Sequence, residues 1–273
     1  MGQANGRRLR LAVVAMVTTL VIVGGGVVLY LHFRPYLHGT SCEARSDTGV
    51  MPLDLDQAAN ASTIATVALR KKLPERATVI AYATALQESH LRNLESGDRD
   101  SVGLFQQRPS QGWGTIKQLQ DPVYATGRFF GALVKVKDYT GMPVHVAAQK
   151  VQRSADGSAY AQHEEDARTL AAAFTGHAPA SVRCWYPPNK RKAHADARSA
   201  LAELRLTLKR SDDGDLTVPT TRAGWTMAGW LVAHAQVYGL REVRYSGRHW
   251  RASDGHSGWT KDKKAAGDHI TVS

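Results

Sequence analysis

One glutamate, Glu88, stands where an uncharged segment of the chain gives way to a loop rich in amides and hydroxyls. Residues 77–86, ATVIAYATAL, carry no charge on any face, which is typical of a helix that is buried all round. Burial at the end of such a helix and the partial negative charge of its C-terminus both disfavour the ionised form of a carboxyl group. A carboxyl group that stays protonated can deliver its proton to a poor leaving group, so we predict that Glu88 is a general acid. The ordinary alternative is a solvated glutamate on a helix surface.

Other kinds of catalytic site find less support in the chain. No glycine-rich phosphate loop and no Ser-His-Asp order stands out. The acidic stretch HEED at 163–166 lacks a metal-ligand spacing and is typical of a solvated helix face. We therefore predict that the protein uses neither a metal nor a cofactor.

Two motifs in order carry a family resemblance. ALQES at 85–89, followed by a polar loop and GLFQQRP at 103–109, resembles the lysozyme-like superfamily and, within it, the lytic transglycosylases. GDRDSVGLFQQRPSQGWGT at 97–115 and AAQKVQRSADGSAY at 147–160 resemble murein-cutting domains of phage tail proteins and cell-wall proteins of high-GC Gram-positive bacteria. The resemblance covers roughly residues 42–185. It implies a mostly helical fold, a cleft between two lobes, and cleavage of the β-1,4-linked glycan strands of peptidoglycan.

The resemblance also implies roles for individual residues. Glu88 matches the acid of the family, Ser89 the residue that commonly supports it, and Gln106 the amide that lines the cleft. The other residues that we predict to bind substrate are Ser101, Gln107, Trp113, Gln152 and Arg153. For the indole of Trp113 the predicted contact is stacking on a sugar ring.

One family feature is missing from its usual place. Many transglycosylases have an Ala-Tyr-Asn-Ala-Gly stretch where this chain has AAQKVQRS at 147–154, so that Gln149 stands near the tyrosine and Lys150 near the asparagine. The tyrosine that supports the acid is not found there. A catalytically inactive lysozyme-like protein that binds or organises the cell wall is therefore the alternative to an enzyme.

The product of the predicted reaction depends on whether a second carboxylate takes part. With one carboxyl group, the substrate's own 6-hydroxyl completes the reaction and leaves an anhydro-sugar, whereas a second carboxylate can activate water for hydrolysis. Asp98 and Asp100 are the nearest candidates, but both lie in the turn sequence SGDRDS, where aspartates commonly bind their own backbone. Both outcomes stay open at this point.

The elements around these residues predict a mainly α protein with a membrane anchor. Residues 11–33 carry no acid or base other than His32, and twenty-three helical residues span about 34 Å, enough for a bilayer core. Arg7, Arg8 and Arg10 precede this segment, so we expect the N-terminus in the cytoplasm and the rest of the chain outside the membrane. The predicted parts are a cytoplasmic N-terminus (1–10), a transmembrane helix (11–33), a linker (34–50), a lysozyme-like helical domain (51–186) and a small C-terminal α+β module (187–273).

Composition and cysteines agree with an exported domain. The formal net charge is +11, and the four arginines among residues 1–34, which hold no acid, leave +7 on the remainder. A basic body suits a polyanion, and because the chain lacks a basic–aromatic motif we predict peptidoglycan and not nucleic acid as the partner. Cys42 and Cys184 both fall on the exported side, where a disulfide is permitted, and we predict that they form one; two free thiols are the alternative.

Apolar periodicity predicts the individual elements. Helices are predicted at 54–72, 121–138, 143–153 and 158–175, with a short strand in the loop at VGLFQQ. In the C-terminal module, Trp225 and Trp230 lie on a predicted helix and fit a core position. Trp250 and Trp259 flank RASDGHSG, where an exposed pair could hold a glycan.

Overall fold

The computed structural model describes residues 16–19, 23–27, 29–30, 39–153, 157–187, 196–210 and 216–273. The chain divides into two units, Met1–Gly39 and Thr40–Ser273. The described residues before residue 31 are helical. No helix formed by described residues is both long and apolar enough to cross a bilayer. The predicted span 11–33 lies partly outside the described residues and stays a prediction.

The second unit is mainly helical, as predicted, and it also contains two small antiparallel sheets. Its helices are α1 (Leu55–Arg70), α2 (Glu75–Ser89), α3 (Ile116–Leu119), α4 (Pro122–Leu133), α5 (Val144–Gln152), α6 (Ser158–Ala161), α7 (Glu164–Phe174), α8 (Ala197–Leu208), α9 (Thr221–Ala233) and α10 (Ala235–Tyr238). Its strands are β1 (Ser41–Arg45), β2 (Val50–Leu53), β3 (Val182–Trp185), β4 (Leu216–Thr217), β5 (Glu242–Tyr245), β6 (Arg248–Arg251), β7 (Trp259–Lys261) and β8 (His269–Val272).

Most of the predicted helices are confirmed, with corrections at their ends. The predictions at 54–72 and 143–153 match α1 and α5. The helix predicted at 121–138 ends at Leu133, and the one predicted at 158–175 is divided into α6 and α7. The strand predicted at VGLFQQ is wrong except for a single bridge between Val102 and Gln107.

Helices α1 and α2 lie at the centre of the second unit. Every residue of α2 from Ala77 to Leu86 is buried, which confirms the prediction made from the uncharged sequence. Small side chains let neighbouring helices approach closely: α2 packs against α7, and α1 packs against α9. The hydroxyl of Tyr82 in α2 donates a 2.8 Å hydrogen bond to the carbonyl of Ala61 in α1. The helix that carries Glu88 is therefore held on several sides.

The first sheet joins the two ends of the predicted lysozyme-like region. Its strand order is β2-β1-β3, and Cys42 in β1 lies directly opposite Cys184 in β3. The two residues form a disulfide, as predicted. These three strands were not predicted from the sequence, and β1 lies within the stretch predicted as a linker.

The C-terminal residues form the second sheet and are packed onto the first. The strand order is β4-β8-β5-β6-β7, with every neighbouring pair antiparallel. The indole N–H of Trp250 donates to the carbonyl of Cys184 at 3.2 Å, and that of Trp259 donates to the carbonyl of Val182 at 2.8 Å. Both tryptophans are buried, so the expectation of an exposed glycan-binding pair is wrong. Trp225 and Trp230 are buried in α9, as predicted.

Candidate active site

Glu88 lies in the last turn of α2. The helix ends at Ser89, and His90 follows in the left-handed conformation, with φ 50°, so that its N–H caps the carbonyls of the final turn. The Glu88 side chain is half-buried. The buried body of α2 thus delivers one carboxyl group to the edge of the core, as the sequence predicts.

Two side chains donate hydrogen bonds to the same oxygen of Glu88. The hydroxyl of Tyr160 donates to Glu88 Oε1 at 2.6 Å, and the amide of Gln152 donates to it at 3.1 Å. The Gln152 amide also donates to the carbonyl of Phe105 at 2.8 Å, which uses both of its hydrogens and fixes its orientation. Among the described residues, no hydrogen bond reaches Glu88 Oε2. One carboxyl oxygen is held by the protein and the other is left for a proton or a ligand.

Tyr160 corrects the sequence analysis, which found no tyrosine to support the acid. The tyrosine comes from α6 and not from α5, the helix that carries the AAQKVQRS stretch. It is buried and its hydroxyl meets the carboxyl of Glu88 across 72 positions of sequence. The signal was present in the motif AAQKVQRSADGSAY, which contains this one tyrosine. Gln152, in contrast, was predicted for the site and lies in it.

The junction between α6 and α7 is tied to the residue that precedes Glu88. The side-chain oxygen of Gln87 accepts hydrogen bonds from Gln162 Nε2 and from His163 Nε2, each at 3.1 Å. An amide oxygen only accepts, so Nε2 of His163 carries a hydrogen. Burial lowers the pKa of His163, and the nearby His90 lowers it further. These contacts hold the segment that presents Tyr160 against the end of α2.

Ser89 joins the helix end to the loop that follows. Its hydroxyl lies 2.7 Å from the carbonyl of Leu104 and 3.0 Å from that of Ala85, and the side chain is buried. The next residue of the loop, Phe105, stacks on Phe129 of α4 with ring centroids 4.5 Å apart. Ser89 therefore supports the acid by positioning the loop, and its hydroxyl is directed at backbone carbonyls.

Gln106 is held in an unusual conformation by its neighbours. Its φ of 46° is in the left-handed region, which non-glycine residues seldom adopt. Its side-chain oxygen lies 2.9 Å from the hydroxyl of Ser101, and its amide donates to the carbonyl of Gly103 at 3.1 Å. A Cβ on Gly97 would lie 1.6 Å from the Gln106 side-chain oxygen, so any other residue at position 97 would displace that side chain. Ser101 is buried beneath this amide, whereas Gln106 is half-buried.

Gln107 lies in the interior of the unit. Its backbone forms two 3.1 Å hydrogen bonds with Val102, and its amide donates to the carbonyl of Ala125 at 3.4 Å. The side chain is 2% exposed. This placement makes Gln107 a part of the loop's framework, with no open side toward a ligand.

Neither aspartate of the loop is joined to Glu88. The Asp98 side chain is 94% exposed, and its one ion pair is with Arg99. Asp100 accepts the backbone N–H of Ser110 at 2.8 Å and the guanidinium of Arg108 at 2.6 Å, and these contacts lower its pKa. A carboxylate stabilised in this way is a weak base. No hydrogen bond or ion pair in the described part of the chain links either aspartate to Glu88.

Trp113 and Arg153 line a groove that does not include Glu88. The groove has a volume of about 460 Å³ and lies between the loop around Gly112, α4 and the end of α5. The Trp113 side chain is half-buried, and Arg153 is exposed and ends α5 with φ 56°. Gln152, which contacts Glu88, directly precedes Arg153. Of the residues predicted to bind substrate, Gln152 thus contacts the acid and Trp113 and Arg153 line the groove, whereas Ser89, Ser101, Gln106 and Gln107 make contacts within the loop.

Comparisons with known proteins add no family to this geometry. Neither a scan against models of protein families nor a search of curated proteins finds a match for the chain.

Proposed function

We propose that the protein is a peptidoglycan-cleaving enzyme, a lytic transglycosylase or a muramidase, that acts outside the cell membrane with Glu88 as its general acid. The observation that carries the proposal is the pair of hydrogen bonds from Tyr160 and Gln152 to Glu88 Oε1. They fix one oxygen of the carboxyl group and leave Oε2 without a protein donor among the described residues. The motifs that resemble lytic transglycosylases and the cysteine pair of an exported chain support the substrate and the compartment.

In the proposed mechanism Glu88 Oε2 carries the proton and gives it to the glycosidic oxygen. The bond from that oxygen to the anomeric carbon breaks, and the sugar becomes an oxocarbenium-like cation. The carboxylate that remains is stabilised by the hydrogen bonds of Tyr160 and Gln152, because bonds to a charged acceptor are stronger than bonds to a neutral one. Glu88 then accepts a proton from the nucleophile, which is either the 6-hydroxyl of the same sugar or water.

The arrangement favours an enzyme over the inactive wall-binding alternative. That alternative rested on the absent tyrosine, and Tyr160 supplies a hydroxyl to the acid. Among the described residues, neither Asp98 nor Asp100 shares a hydrogen bond with Glu88. Without a second carboxylate at the acid, the 6-hydroxyl of the substrate is favoured as the nucleophile, and the product is then an anhydro-sugar.

The test compares the full chain, purified in a mild non-ionic detergent, with its Glu88→Gln variant on purified peptidoglycan. Glu88→Gln keeps the shape of the side chain and one acceptor oxygen for Tyr160 and Gln152, but it removes the acid. Soluble muropeptides are expected from the wild type, with a loss of at least about a hundredfold in the variant. Their masses separate anhydro ends from hydrolysed ends.

Glu95→Gln is the matched control, since Glu95 is an exposed glutamate of the adjoining loop. Its release of muropeptides is expected to equal that of the wild type. Binding of peptidoglycan without release by any of the three proteins would contradict an enzyme and support the wall-binding alternative.

A further inference from the structure

The groove beside Trp113 has a cationic wall. Arg128 lies on α4, Lys135 follows two residues after the end of α4, Lys150 lies on α5, and Arg153 ends that helix. All four side chains are exposed, and none of the described residues that line the groove is an aspartate or a glutamate. The groove therefore concentrates positive charge in a concave surface, where the field of several charges adds up.

The part of the chain that the structure describes offers these four charges no carboxylate partner. Within the described ranges, none of them forms an ion pair with a carboxylate; the guanidinium of Arg128 donates to the backbone carbonyl of Gly112 at 2.8 Å. Elsewhere the same protein pairs its arginines, as Arg183 with Glu43 at 2.9 Å and Arg108 with Asp100 at 2.6 Å. Like charges gathered without partners repel one another, and an anion in the groove relieves that repulsion.

The floor of the groove contains a glycine that packing does not require. Gly131 lies in α4, and a Cβ at this position would meet nothing within 4 Å. Glycine inside a helix lowers stability relative to alanine, so the fold gains nothing from it here. The missing side chain leaves this part of the groove open.

We propose that this groove binds an anionic segment of the cell-wall polymer, whose carboxylates or phosphates meet the four cations while a sugar ring stacks on Trp113. Flat sugar faces stack on indole rings, and guanidinium groups bind both kinds of oxyanion in bidentate fashion. Because Gln152 contacts Glu88 and Arg153 lines the groove, a bound strand lies next to the acid. The inference rests on the proposed function, of which it names the substrate class.

The experiment measures binding separately from cleavage. The full chain carrying Glu88→Gln is titrated onto insoluble cell walls at low salt. It is compared with a chain that also carries Arg128→Gln, Lys135→Gln, Lys150→Gln and Arg153→Gln. In the proposed complex each of the four cations forms an exposed ion pair of modest strength with the ligand. Their joint loss is expected to weaken the affinity of the groove variant by about tenfold or more. Raising the salt concentration is expected to erase most of the difference, since exposed charges are screened.

The control variant removes four exposed lysines far along the sequence from the groove: Lys209, Lys261, Lys263 and Lys264, each changed to Gln. The Glu88→Gln parent has a formal net charge of +12, one more than the +11 of the wild type, and both variants lower it to +8 because each loses four positive charges. The control is expected to bind as the Glu88→Gln parent does. Equal losses in the two variants, or no loss in the groove variant, would overturn the proposal.

Two treated substrates identify the source of the anions. One is wall material stripped of its phosphodiester polymers, and the other is wall material stripped of its stem peptides by an amidase. If one treatment abolishes the difference in affinity between the parent and the groove variant, the polymer that it removed carries the anions. If the difference in affinity survives both treatments applied together, the ligand is not anionic and the proposal is overturned. The two proposals can fail separately. If the wild-type chain releases no muropeptides but the groove variant still binds cell walls more weakly than its Glu88→Gln parent, the proposed cleavage is refuted and the proposed binding in the groove is supported.

Discussion

At the scale of single residues, the important feature is that two different donors meet on one carboxyl oxygen. The phenol of Tyr160 and the amide of Gln152 both point at Glu88 Oε1. Gln152 is itself fixed by its second bond, to the carbonyl of Phe105. The carboxyl group is thereby held in one orientation before a substrate arrives, which lowers the cost of reaching a reactive geometry.

Tyr160→Phe tests this arrangement because it removes one hydroxyl from a buried ring and leaves the ring in place. The variant loses a charge-assisted hydrogen bond to the carboxylate that forms during the proposed reaction. We expect the rate of muropeptide release to fall by about 10- to 100-fold, with the far-ultraviolet circular dichroism unchanged. The measurement is the initial rate of release from peptidoglycan.

Tyr82→Phe is its matched control. Tyr82 is also buried, and its hydroxyl forms a hydrogen bond with a backbone carbonyl, that of Ala61, at 2.8 Å. This variant is expected to lose about 1 kcal/mol of unfolding free energy and to keep its rate. If both variants slowed release to the same degree, the effect of Tyr160 would be one of stability, and its role at the acid would be refuted.

The sequence predicted Glu88 and Gln152 for the site but missed Tyr160, for a physical reason. A motif read as a continuous stretch assigns roles by position, so the expected tyrosine was sought near Gln149. In the structure the hydroxyl comes from the next helix, and the contact depends on how α6 folds back onto α2. Such a contact is set by tertiary packing and has no local pattern.

At the scale of elements, the helices were easier to predict than the strands. Helix α2 could be predicted from its run of uncharged residues, because a helix that is buried on all faces carries no charged side chains. Strand β1 has the sequence SCEAR, five residues long, and its partner β3 lies some 140 residues away. Neither strand shows the longer alternation that identifies a strand on its own, so their pairing was not predictable.

The same substitution, glycine to alanine, is expected to change the unfolding free energy in opposite directions at two helix positions. A Cβ on Gly131 in α4 meets nothing within 4 Å, whereas a Cβ on Gly224 in α9 would lie 2.1 Å from the ring of Tyr245. Gly131→Ala is expected to raise the unfolding free energy by about 0.5–1 kcal/mol through the unfolded state and helix propensity. Gly224→Ala is expected to lower it, because the ring must move.

Urea denaturation followed by circular dichroism measures both changes. A fall in stability on Gly131→Ala would contradict the open space described at the floor of the groove. If Gly224→Ala were as stable as the wild type, the close contact between α9 and Tyr245 would be wrong. The pair thus tests the packing of two separate helices.

At the scale of the whole molecule, the described residues after position 187 (196–210 and 216–273) belong to the same compact unit as the residues that carry the site. Helix α9 packs on α1, and two buried tryptophans donate hydrogen bonds to β3. The alternating strands of the C-terminal region were predictable, but the surface that covers them was not. The alternation of an amphipathic strand shows which of its residues are to be buried. It does not show which other element packs against them.

The disulfide closes this unit, and its reduction provides a test at the same scale. Cys42 and Cys184 are 142 positions apart, and a crosslink of that span stabilises a protein by about 5 kcal/mol in the chain-entropy model. We expect a reductant to shift the urea midpoint of the wild type strongly downward. The measurement is the midpoint with and without reductant.

The control is the double variant Cys42→Ala with Cys184→Ala, whose midpoint is expected to be low and insensitive to reductant. A wild-type midpoint that does not respond to reductant, under conditions in which free thiols are detected, would contradict a stabilising role for the disulfide.

The packing of α9 on α1 has a consequence for biosynthesis. A ribosome makes α1 and α2 well before α9, so the growing chain holds an apolar helix surface whose cover has not yet been made. The complete core can form only when α9 has emerged. A premature stop codon before α9 would therefore abolish the folded active site, although every residue around Glu88 had already been translated.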